Sequence, residues 1–166
     1  METFYATLAQ ISFTVLGLWW VVVQFKYREW TRNKARALLA YNVSLYFLLP
    51  GVMSLASLID TDTSTLWRLG FGLSAACGAA ASAFLLRQDT PGPAAAVLFN
   101  VSAIVTLAIY GLIALFAVYP DLAGDLGLDL EPIQVEGVLA TLLLVVGVNF
   151  AWFIFTGFTE EEDLPG

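Results

Sequence analysis

Residues 94–119 read AAAVLFNVSAIVTLAIYGLIALFAVY, twenty-six positions without one charged side chain. At about 1.5 Å rise per residue, roughly 20 such residues cover the ~30 Å hydrocarbon core of a bilayer. A charge at the centre of a membrane helix costs about 2.5–3.5 kcal/mol on the insertion scale, so its absence over this length reads as a spanning helix. A membrane β-strand would alternate apolar and polar positions over about 10 residues, and this stretch does not.

Working outward, four more segments read the same way: 4–25, 37–59, 66–86 and 133–158. The expected fold is therefore all-α, a polytopic integral membrane protein built as a bundle of five transmembrane helices. The spans and their links, residues 1–159, form one domain, followed by a short acidic tail at 160–166. Composition agrees. Hydrophobic residues make up 59% of the chain and charged residues 13%, about half the charged share of a soluble domain. The mean hydropathy is +0.79.

The links set the expected orientation. The first, 26–36, holds Lys26, Arg28, Arg32, Lys34 and Arg36, and the third adds Arg87. Lys and Arg mark the cytoplasmic side, so these links and the acidic tail are expected inside, with the N-terminus outside. The N-terminus carries no positive n-region and no small-residue cleavage site, so the first segment is expected to remain as a helix. The expected home is the plasma membrane of a prokaryote. Arg68 lies at the other end and is expected to snorkel or to pair with Asp60 or Asp62. Trp19, Trp20, Tyr27, Trp30, Trp67, Tyr119 and Trp152 fall mostly near span ends, where aromatic belts form.

Several function classes are excluded. The net charge of −7, from 14 acidic and 7 basic residues, argues against nucleic acid as a partner, since displacing counterions needs a basic surface. There is no histidine and one cysteine, Cys77, which removes the usual general base, the axial haem ligand and any cysteine-built metal site. No span contains a lysine for a retinal Schiff base. No pairing of carboxylates or of nucleophile with base suits catalysis. The chain is not expected to be an enzyme, and no cofactor or metal is expected.

What remains is a set of polar patterns inside apolar helices. In the first span Thr3, Thr7, Gln10, Thr14, Gly17, Val21 and Gln24 follow steps of four and three residues, one narrow stripe down a helix. Thr7, Gln10, Thr14, Gly17 and Gln24 are candidate pore-lining or cavity-lining residues. The alternative is a helix–helix seam, with Thr and Gln as polar glue and Gly17 allowing close approach. In the third span Gly70, Ser74, Gly78 and Ser82 recur every four positions, with Gly72, Ala76 and Ala80 beside them, and should pack against neighbours. That helix is expected to be central.

Asn42, Asn100 and Asn149 lie within spans and are expected to form a buried polar network, because their amides need partners where there is no water. Pro50-Gly51 should kink the second span. Asp60, Asp62, Asp121, Asp125, Asp129, Glu131 and Glu136 fall on the outer side and suggest an acidic vestibule that concentrates cations. Glu136 sits near the start of the fifth span, where a headgroup position is expected; the alternative is a membrane-embedded carboxylate, and then a cation or proton site.

Together these point to a small membrane channel or transport protein, homo-oligomeric and cation-favouring, whose partners are the lipid bilayer, copies of itself and inorganic cations. The alternative is a non-catalytic accessory or scaffold subunit of a larger membrane complex.

Overall fold

Each apolar run forms a helix, because within a long uncharged segment only internal hydrogen bonds satisfy the backbone. The computed structural model describes residues 1–30, 34–59, 64–87, 93–127 and 129–157. These fold as α1 (Glu2–Phe25), α2 (Tyr27–Trp30), α3 (Lys34–Ile59), α4 (Ser64–Leu85), α5 (Pro93–Val118), α6 (Leu122–Asp125) and α7 (Pro132–Gly157). No strand occurs among the described residues.

Five of the helices, α1, α3, α4, α5 and α7, are long and apolar enough to cross a membrane. Their apolar windows are Glu2–Phe25, Ala37–Ile59, Thr65–Leu85, Asn100–Val118 and Pro132–Phe155. The two short helices lie in the links. α2 occupies the basic link, and α6 sits between α5 and α7, where Gly127, at φ 69°, takes the left-handed conformation that side chains resist. Asp60, Asp62 and the tail 160–166 lie outside the described residues.

The bundle is organised around α3, which packs against α1, α4 and α7, while α5 packs against α4 and α7. In the apolar windows, 61% of α3 is buried, against 33% of α4 and 22% of α1. The small-residue helix is thus not the centre, contrary to expectation. Its two files point in different directions: Ser74, Gly78 and Ser82 are buried and Gly70 half-buried, whereas Ala76 and Ala80 are exposed. Small residues allow close approach but do not dictate how many neighbours arrive.

α3 runs through Pro50 without a break. Pro50 is fully buried, and its carbonyl accepts the Ser54 hydroxyl at 2.7 Å. The core is aromatic and aliphatic, with Tyr46, Phe47, Met53, Phe71, Ile113 and Leu143 all buried. The outward surface is apolar too: Leu18 is 63% exposed and Leu73 67%. Such a surface suits lipid rather than water.

One expectation about the helix ends changes, and the pairing expected of Arg68 with Asp60 or Asp62 lies outside the described residues. Trp19 is buried rather than interfacial, and its indole Nε1 donates to the Ala40 carbonyl of α3 at 3.0 Å. Arg68 caps a helix. Its Nε donates to the Ala117 carbonyl at 2.7 Å and its Nη2 to the Val118 carbonyl at 2.9 Å. These are the last carbonyls of α5, which have no partner within their own helix, and the cation also meets the negative end of the helix dipole. Arg68→Met will therefore destabilise the fold by about 1–2 kcal/mol, read as a lowered unfolding midpoint in detergent. Arg68→Lys will recover only part of it, since an ammonium lacks the planar fork.

Candidate functional site

The α1 stripe is the most distinctive polar feature that the described residues place at the surface. α1 turns its face of Tyr5, Leu8, Ala9, Ser12 and Trp19 inward. At about 100° per residue, Thr3, Thr7, Gln10, Thr14 and Gly17 centre roughly 180° away from that face. All five are exposed, as are Val21 and Gln24. The Thr7 hydroxyl donates back to the Thr3 carbonyl at 2.8 Å. A Cβ at Gly17 would meet nothing within 4 Å. The stripe is therefore neither a seam between helices of one chain nor the lining of a cavity inside one chain. It points directly away from its own bundle.

The three asparagines do not form the expected buried network. Asn42 is buried, but Asn100 and Asn149 are exposed. The Asn149 amide donates to the Val145 carbonyl of its own helix at 2.7 Å. Buried hydroxyls follow the same local pattern. Ser12 donates to the Leu8 carbonyl at 2.7 Å, Ser44 to Ala40 at 3.1 Å and Thr106 to Ser102 at 2.7 Å. A Ser or Thr needs no second helix when the carbonyl four residues back is within reach.

Between helices, Thr106 of α5 also meets the Tyr46 hydroxyl of α3 at 3.3 Å, with Ser82 of α4 in hydrogen-bonding reach of the same tyrosine. Ser82 thus contributes to a polar contact as well as to packing. Tyr46 and Tyr110 were not singled out as site residues in their own right, since a lone tyrosine in an apolar run gives no signal of which neighbour it meets. The Tyr110 hydroxyl is buried without a hydrogen-bond partner.

The acidic residues divide. Asp121, Asp125, Asp129 and Glu131 are exposed, gathered where α5 ends and α7 begins. Glu136 does not belong with them. It has no exposed surface, and neither carboxyl oxygen has a hydrogen-bond partner. Its neighbourhood comes from α1: the Tyr5 hydroxyl donates to the Ile133 carbonyl of α7 and lies 3.2 Å from where a Cβ on Gly137 would stand. Depth along a helix gave the headgroup expectation; the burial of Glu136 inside the bundle is set instead by rotation about the helix axis.

Among the described residues no three acidic, thiol or imidazole groups come together to hold a metal. Of two surface grooves, one runs between α1 and α7, lined by Leu8, Ile11, Val15, Leu144 and Val148 with Thr141 and Asn149 at its edge. Both polar groups there are turned back onto their own helix. The other lies beside Arg68 and is walled by Leu69, Leu73 and Val118. Compared with protein families, with curated proteins and with solved structures, the chain shows no significant match in any of the three.

Proposed function

We propose that the chain is an integral membrane protein with its N-terminus outside, assembling with copies of itself into a small cation-favouring channel. Its water path runs between subunits and is lined by the α1 stripe. One observation carries this reading: Thr7, Gln10, Thr14, Gly17 and Gln24 face away from their own bundle along a helix long and apolar enough to span. Neutral amides and hydroxyls turned toward lipid lose hydrogen bonds that hydrocarbon cannot replace. Turned toward a shared axis, they meet water and one another.

The exposed acids Asp121, Asp125, Asp129 and Glu131 support the preference for cations, because a rim of carboxylates raises the local cation concentration. They sit at the end of the bundle where α1 starts, opposite the basic link. A plasma membrane, with that basic link on the cytoplasmic side, is part of the same proposal. The exposed file Ala76 and Ala80 on α4 supplies small residues for a subunit contact.

The test is ion flux from liposomes carrying the purified protein, measured separately for K⁺, Na⁺ and Cl⁻, with the oligomeric state determined alongside. Cation flux from a defined oligomer is the expected result. A folded monomer that passes no ion would overturn the channel and favour the accessory-subunit reading, in which the stripe docks against a different membrane protein.

A further inference from the structure

We propose that Glu136 is a proton-exchange site buried in the bundle at the end where α7 begins, with the Tyr5 hydroxyl as its polar neighbour. The geometry carries this. Glu136 is 0% exposed and both carboxyl oxygens lack partners. Its surroundings on the α1 side are aromatic: Phe4 packs over the adjacent Gly137, and Tyr5 packs edge-on against the buried Phe71. An ionised carboxylate left without partners in such an interior costs several kcal/mol. Something must neutralise it: neither carboxyl oxygen meets a cationic donor among the described residues, and the Arg68 guanidinium at this end of the bundle is committed to the α5 carbonyls.

A proton fits where a metal ion does not. A hard cation takes several oxygen ligands and needs volume for them. Among the described residues no three acidic, thiol or imidazole groups come together to hold one, and the adjacent Gly137 is closed off by the Phe4 ring. A proton needs no cavity. It needs a route to water. The Tyr5 hydroxyl spends its own proton on the Ile133 carbonyl, so it has none to donate to a carboxylate at Glu136. The route is short, because Glu136 lies four residues inside the α7 start at Pro132, about 6 Å at 1.5 Å per residue. Just before that start stand the exposed Asp129 and Glu131. In the exchange the carboxyl O–H bond breaks, its proton passes to water reaching that end, and a proton from that water re-forms the O–H bond. No electrons are transferred.

Among the described residues the titratable group facing Glu136 from α1 is Tyr5, with which it interacts electrostatically. α3 and α4 bring Ser57 and Phe71 to that tyrosine, and neither ionises. Glu131 is the next acid on the α7 side, and it is exposed. The proposal does not depend on flux through the α1 stripe.

The experiment is infrared spectroscopy of the full chain in lipid vesicles at neutral pH, with glutamate carboxyls labelled with carbon-13. The expected result is a labelled protonated-carboxyl band, distinct from the carboxylate bands, that shifts after transfer to heavy water. It should vanish in Glu136→Gln. Glu136→Asp serves if the glutamine variant fails to fold: it keeps an acid at the position but removes the label, so the labelled band vanishes there too. Labelled carboxylate bands alone would overturn the proposal, because the group would then be ionised. A protonated band that never shifts in heavy water would also overturn it, since a sealed proton does not exchange.

Discussion

Vesicles carrying the double variant Gln10→Leu, Thr14→Val will lose nearly all cation flux while the purified chain keeps its helical content and its unfolding midpoint. Both positions are exposed on the face of α1 opposite its buried residues, so the substitutions remove no contact within the chain. Leucine and valine are as compatible with lipid as the residues around them. The loss falls on the water path. Each polar group that no longer hydrogen-bonds to water or a passing ion removes roughly 1–3 kcal/mol of stabilisation. Since 1.4 kcal/mol is a factor of about ten, two such losses in every subunit suppress conduction by well over tenfold. Unchanged flux would remove α1 from the lining. Gln10→Asn, Thr14→Ser keeps both functional groups and should retain most of the flux.

The second large effect concerns folding. Gly78→Ala will destabilise the chain strongly, whereas Gly72→Ala, six residues earlier on the same helix, will be close to neutral. A Cβ at Gly78 would fall inside the ring of Tyr110, and one at Gly72 would meet nothing within 4 Å. Tyr110 is buried and cannot swing aside without displacing its neighbours. Overpacking of this kind costs about 1–3 kcal/mol or more. At the open position alanine gains helix propensity of up to ~1 kcal/mol over glycine. Gly147, where a Cβ would approach the Tyr46 Cβ to 2.6 Å, should behave like Gly78. Denaturant unfolding in mixed detergent, followed by tryptophan fluorescence, reads the contrast. Equal midpoints for Gly72→Ala and Gly78→Ala would mean that α4 does not pack on α5 through this face.

The sequence made the helices legible because length and absence of charge are one-dimensional properties. The described spans begin and end within a few residues of the expected positions. Direction around each axis was harder. The small residues of α4 form two adjacent files, and nothing in their identities says that Ser74 and Gly78 turn inward while Ala76 and Ala80 turn out. The stripe of α1 was visible in its spacing, but its outward aim follows only from where Tyr5, Ser12 and Trp19 are buried. Asn100 and Asn149 misled because an amide in an apolar run looks as though it needs a partner on another helix. Asn149 finds one on its own helix. The burial of Glu136 was equally hidden, since nearness to a helix start says nothing of which way a side chain turns about the axis.

The outward aim of the α1 stripe also bears on dosage. A single bundle holds no lumen along that face, so in the proposed channel a conduit exists only while several copies are joined. Conductance should then climb more steeply than linearly with the surface density of the protein, and dilution into excess lipid should switch it off without unfolding a single chain.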